Sequence, residues 1–217
     1  APIDADFTYS YTDPKQKETE LAAIQGWATV AKHFMLWDYV CNYIEYYWYF
    51  PTTHYMKENM QLFEDIGCVY AMLQSSYTQN NIWFDDMRNY IASRLFWNAG
   101  WDVGFLMNEY IELFYGPVAD SVKKVVGLFE NHYNELRFQD KLRVSILSES
   151  GAFIGKNEAN EINPIGWLNR IIRTLDDATE AIGNNAEVSA DDAQKAIYKL
   201  EDVKITPMRM ILRNYTS

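Results

Sequence analysis

Positive charge is in short supply in this sequence. Its 217 residues carry 19 lysines and arginines against 30 aspartates and glutamates, a formal charge of −11. Such a surface repels a phosphate backbone, and no local basic patch offsets it, which argues against nucleic acid as a partner. No apolar run approaches the roughly 18 residues of a membrane span. Cysteine is scarce: Cys41 and Cys68 are the two, with no paired-cysteine motif and no zinc spacing. His33, His54 and His132 are isolated, without a second ligand at helical spacing, so no metal is expected. No phosphate-binding loop points to another cofactor, and there are no repeats or low-complexity tracts. The chain opens at Ala1 with neither an initiator Met nor a signal peptide, which predicts a mature product or an excised piece.

Aromatic residues are abundant, at 16% of the chain. They concentrate between Phe34 and Phe50, where FMLWDYVCNYIEYYWYF is about half aromatic and includes five tyrosines. Asp38 and Glu45 sit among the rings, and Pro51 closes the run. A core strand does not need that many phenols. A surface for sugar rings uses them as flat faces to stack on and hydroxyl tips to hydrogen-bond. The competing reading is a tyrosine-rich core edge or a contact with another domain.

Along the chain, residues 1–13 are polar and aperiodic. Asp13 and Pro14 then make a helix start, a capping carboxylate followed by proline at the first helical position. Leu21, Ile24, Trp27, Ala28 and Ala31 share one face of that helix, which should end near Lys32. Residues 33–37 form a short apolar run, read as a buried strand, with Asp38 and Tyr39 at its C-terminal end. The next helix starts at Thr52 or Thr53, buries Met56, Met60, Phe63 and Ile66, and stops at Gly67. Residues 68–73 read as a second strand. Strand, loop, helix, strand implies a parallel βαβ crossover. Parallel strands leave Cys41 beyond the end of one and Cys68 at the start of the other, roughly 15 Å apart. A disulfide needs Cα atoms within about 7 Å, so two free thiols are expected.

From Ile82 the pattern is helical. The expected inward faces are Trp83, Met87, Tyr90, Ile91 and Leu95; then Val103, Leu106, Tyr110 and Phe114, capped by Asp102 and ended at Gly116 and Pro117. Next come Val118, Val122, Val125, Phe129, Tyr133 and Leu136, and, after a loop around residues 151–161, Ile165, Leu168, Ile172 and Leu175, up to Gly183. Ser189 and Asp192 form a capping box for a last helix with Ala193, Ala196, Ile197 and Leu200 inward, kinked or interrupted at Pro207. The expected fold is mainly α, a small parallel βαβ element followed by a bundle of helices. Residues 1–80 make the helix–strand region and 81–217 the helical domain. Two parallel strands do not make an independent sheet, because both faces and both edges want cover. Either further strands lie in the N-terminal residues, or this chain is the C-terminal part of something larger, the reading favoured here.

Four stretches in order carry a resemblance: WDYV (Trp37 to Val40), EDIGCVYAMLQ (Glu64 to Gln74), MRNYIASRLFWNAGWDV (Met87 to Val103) and NEYIELFYGPVA (Asn108 to Ala119). Over residues 27–119 the chain resembles the C-terminal part of a family of large bacterial carbohydrate-active proteins. In these a domain of unknown function follows a glycoside-hydrolase-like barrel, laid out as in α-glucuronidases and β-hexosaminidases. The resemblance implies that the two strands close a partial TIM-type barrel and that the helices after Asn81 cap it. It implies a glycan ligand, an upstream barrel domain as partner, and an extracellular, periplasmic or cell-surface location. It also implies that the catalytic carboxylates lie on strands upstream of Ala1, so that no catalytic residue is assigned here. One departure stands out: the family's strand has a glycine where this chain has Tyr70 and Ala71.

Ligands of parallel sheets and barrels bind at the C-terminal ends of the strands. Trp37, Asp38, Tyr39, Gln74 and Ser75 should therefore face one crevice, with Tyr43 in the loop beside it. Trp37 is the stacking candidate, against a core role. Asp38 would hold sugar hydroxyls or tune a catalytic group, against a capping role, and Gln74 would hydrogen-bond a hydroxyl, against a turn role. Glu64 and Asp65 look like an acid–base pair, but neighbours at a helix end diverge, and a solvated face fits better. Glu109 and Tyr110 read as structural. The rival reading of the chain is a helical interaction module that docks on a partner through the aromatic strip at 43–50.

Overall fold

The computed structural model describes residues 6–44, 46–76, 83–140, 142, 144, 145, 147 and 164–215. Helix α1 (Glu20–Val30), strand β1 (Met35–Tyr39), helix α2 (Met56–Asp65) and strand β2 (Tyr70–Gln74) come first. Helices α3 (Asp85–Trp97), α4 (Val103–Tyr115), α5 (Ala119–Phe138), α6 (Pro164–Gly183) and α7 (Ala190–Tyr215) follow. The chain is thus mainly helical, with one small parallel pair and a C-terminal bundle. The strands pair in register from Met35 with Tyr70 to Tyr39 with Gln74.

Both strands begin two residues later than their apolar runs suggest. The cause is the end of α2. Gly67 adopts a left-handed φ of 73°, its N–H donates to the Glu64 carbonyl and that of Cys68 donates to the Phe63 carbonyl. This double bond is a Schellman cap, so Cys68 still belongs to the helix stop and not to the strand. Both cysteines are free thiols.

The first helix differs from expectation. Asp13 caps only a 3₁₀ turn, Pro14–Gln16, by accepting from the Lys15 N–H at 2.9 Å. The stripe on α1 is not buried as a whole: Ile24 is covered, but Trp27 is 68% exposed, and Val30 beside it 75%. An amphipathic stripe is buried only where a second layer meets it, and that layer reaches little beyond Ile24. Residues 7–11, which carry no period, are buried instead. Phe7 donates its N–H to the Val144 carbonyl, Tyr11 donates its own to Asn59 Oδ1, and the Tyr55 hydroxyl donates to the Phe7 carbonyl. An extended segment held by scattered side chains leaves no periodic signal.

The aromatic strip is the centre of the core. Trp48, Tyr49 and Phe50 are buried. Tyr49 stacks on Tyr133 at 4.7 Å and on Phe129 at 5.5 Å, and Phe50 meets Phe7 at 5.7 Å. Thr206 of α7 donates its hydroxyl to the Tyr47 carbonyl, and Arg209 lies 4.9 Å over the Tyr47 ring. One cluster of buried side chains runs from Phe7 and Trp48 through the helices to Met210.

The helical faces follow their periods with two shifts. On α4, Ile111 and Tyr115 are buried while Phe114 is partly exposed, and on α6 Ile171 is fully buried rather than Ile172. The capping box at Ser189 and Asp192 is formed. Pro207 does not interrupt α7, which continues to Tyr215. The loop expected around 151–161 and the side chain of Ile165 lie outside the described residues.

Candidate functional site

Side chains alternate across a strand, and here the alternation splits the five candidates. Met35 and Trp37 of β1 and Tyr70 of β2 face outward and are exposed; Trp37 is 45% exposed. Leu36, Asp38, Ala71 and Leu73 face the other way, against the core.

On the outer face Trp37 donates its indole N–H to Gln74 Oε1 at 2.7 Å. The two are diagonal neighbours, since Trp37 pairs with Met72, a separation that long side chains span. Tyr43 donates its hydroxyl to the Gln74 carbonyl at 3.2 Å, shared with that of Ser75 at 3.5 Å. Burial, and then the adjoining Cys41 thiol, push the Tyr43 phenol far up, so it remains a donor. The rings of Tyr39, Tyr43 and Tyr46 stand edge to face in a row, at 5.9 and 5.7 Å. Trp37, Tyr43 and Gln74 thus form one patch at the C-terminal end of the pair, with Tyr39 behind it, packed on Phe7.

Asp38 is not in this patch. It is buried on the core face, where the Tyr11 hydroxyl donates to Oδ1 at 2.6 Å and the Tyr39 N–H donates to the same oxygen. Burial raises its carboxyl pKa, opposed by those two bonds. The adjoining void of about 10 Å³ has room for about one water and no sugar. The single crevice expected for Trp37 through Tyr39 is therefore two environments on opposite faces of one strand.

Below the patch lies a carboxylate that sequence reasoning missed. Asp85, at the start of α3, accepts from the Ser75 hydroxyl, from Ser76 at 3.1 Å and from Arg88 Nη2 at 3.1 Å. Arg88 is only 2% exposed, and its Nε has no partner among the described residues. Phe84 takes a left-handed φ of 48° just before α3. This uncommon conformation for an aromatic residue accompanies a T-shaped Trp83–Phe84 contact in the core at 4.4 Å. Asp85 thus ties Ser75 and Ser76 to the start of α3. In sequence, Asp85 and Arg88 look like an ordinary acid and base on a helix's first turn. Only the buried environment distinguishes them.

A second polar cluster, also missed, joins the start of α2 to α5. The Tyr49 hydroxyl donates to Glu130 Oε1. Glu130 Oε2 lies 4.0 Å from His54 Nδ1, and His54 Nε2 lies 2.7 Å from Arg137 Nη1. An arginine only donates, so His54 Nε2 accepts and the ring is neutral. Burial, and then Arg137, push its pKa down to about 4. Burial raises Glu130 to about 7 against the pull of Arg137.

Among the described residues no group of three or more His, Cys, Asp or Glu side chains could hold a metal ion, and no helix is long and apolar enough to cross a membrane. Residues 1–126, more than half of the chain, match the model of a family described as Domain of unknown function (DUF4838). No curated protein and no solved structure matches the chain.

Proposed function

Since the chain belongs to the DUF4838 family, a domain without an assigned activity, we propose from its geometry that it forms the glycan-binding C-terminal part of a carbohydrate-active protein. The observation that carries this reading is the Trp37 side chain. It is a large, partly exposed ring in the middle of β1, held by the Gln74 side chain from the C-terminal end of β2 at 2.7 Å. A stacking platform whose rotamer is fixed in advance loses little freedom when a sugar ring settles on it. Among the described residues the nitrogen of the Gln74 amide has no partner, so it can donate to a ring hydroxyl.

The chain contributes binding and not the hydrolytic carboxylates. Asp38 is sealed in the core, and Asp85 is occupied by two serines and Arg88. Hydrolysis by a pair of carboxylates would belong to a preceding barrel domain. An open sheet supports this. β1 and β2 are the whole sheet among the described residues, so each has an unpaired edge, and β2 (YAMLQ) carries none of the lysines or prolines that protect exposed edges. A barrel that continues the pair would cover both edges, and would act on glycans at the cell surface, in the periplasm or outside the cell. Docking through the strip at 43–50 has no such support, because Trp48, Tyr49 and Phe50 are spent on this chain's own core.

The test is titration of the chain with a panel of neutral and acidic oligosaccharides, followed by calorimetry, for the parent protein and for Trp37→Ala and Gln74→Ala. Loss of the platform should weaken binding about tenfold or more, and loss of its lock by several-fold. Equal affinity in the parent and Trp37→Ala would sink the proposal.

A further inference from the structure

The polar cluster at His54 borders a groove of about 690 Å³ between the N-terminal segment, the start of α2 and the last turn of α5. This volume is in the range of small-molecule sites. Arg137, Asn134 and Phe138 line it from α5, Ser10 and Asp13 from the N-terminal segment, and Glu58 from α2. Phe138 stands at the rim, 92% exposed.

The charges in this groove are held apart. Arg137 donates to His54 Nε2 at 2.7 Å and to Asn134 Oδ1 at 3.1 Å. Its nearest fixed partners are thus neutral, and neither Asp13 nor Glu58 comes within the 4.0 Å of an ion pair. Asp13 is occupied at Oδ1 as the cap of its own turn. The groove therefore sets guanidinium and amide donors on one wall against carboxylate and hydroxyl acceptors on the other. A simple anion entering it would meet two carboxylates. A simple cation would meet a fixed guanidinium. A neutral polyhydroxyl ring satisfies both walls, since each hydroxyl donates and accepts, and its apolar face can lie on the Phe138 ring.

We infer that this groove is a second saccharide subsite, for a neutral sugar ring, apart from the patch at Trp37. The inference does not depend on the strand-end site, and either can fail alone. The test uses the full chain at pH 7 with methyl β-glucopyranoside, methyl β-xylopyranoside and cellotetraose, and with acetate as the anion control. Binding is followed by amide chemical shifts and calorimetry. The sugars should shift Asn134 and Phe138, and Phe138→Ala, an exposed position, should weaken that response about fivefold while Trp37→Ala leaves it unchanged. Arg137→Gln should also weaken it. If no sugar moves these amides, or if acetate moves them and the sugars do not, the assignment is overturned.

Discussion

Replacing Glu130 with Gln should change the way stability depends on pH, by an amount the cluster around His54 specifies. Burial raises Glu130 from 4.5 to about 7. The unfolded chain therefore loses this proton well before the folded one does, and stability falls as pH rises from 4.5 to 7. At about 1.4 kcal/mol per tenfold change in proton affinity, the loss amounts to about 3 kcal/mol. His54, pushed down from 6.5 to about 4, works in the opposite sense. The unfolded ring takes up a proton below 6.5 and the folded ring does not, so stability falls by about 3 kcal/mol as pH drops from 6.5 to 4. Between 4.5 and 6.5 the two slopes cancel in the parent protein. Gln keeps an acceptor for the Tyr49 hydroxyl but does not titrate, so the His54 slope is left uncovered. Urea denaturation from pH 4 to 8, monitored by circular dichroism, gives the difference between variant and parent, in which other carboxylates drop out. Relative to its parent, Glu130→Gln should gain about 3 kcal/mol between pH 4.5 and 7. A difference that does not vary with pH would refute the reasoning.

Two further outcomes follow from buried polar groups. Arg88→Ala removes the guanidinium that balances Asp85 inside the protein; a broken buried pair costs about 3–5 kcal/mol, and a urea midpoint within error of the parent would contradict the assignment. Thiol labelling at pH 8 should be biphasic. Cys68, half-buried, reacts first, while Cys41, buried with its thiol pushed up to about 11, reacts only as the chain opens; equal rates would count against this.

Much of the secondary structure could be read in advance because it rests on local chemistry. Gly67, the capping Asp102, the Ser189–Asp192 box and the apolar period of α5 each act within a turn or two of chain. The candidate site was only half legible. Trp37, Gln74 and Tyr43 do meet, with Trp37 reaching from mid-strand to the end of β2 and Tyr43 from the loop. Asp38 does not join them, because one residue along a strand reverses the face. Asp85 and Arg88 were invisible, since nothing in a helix's first turn reveals that Arg88 is buried or that Ser75 and Ser76 come to meet Asp85.

The sequence by itself determined that this chain is helical with two short strands, that it carries an excess of negative charge, and that its aromatic residues are gathered in one stretch. Only the tertiary structure decided where each of those rings goes. Trp37 ends on an open face, whereas Trp48, Tyr49 and Phe50, equally suited in composition to bind a sugar, are buried, Tyr49 against α5 and Phe50 against Phe7. An aromatic ring favours any apolar face that excludes water. Which face it meets is set by residues far away in sequence, here Phe7, Phe129, Tyr133 and Thr206, and no local pattern records them.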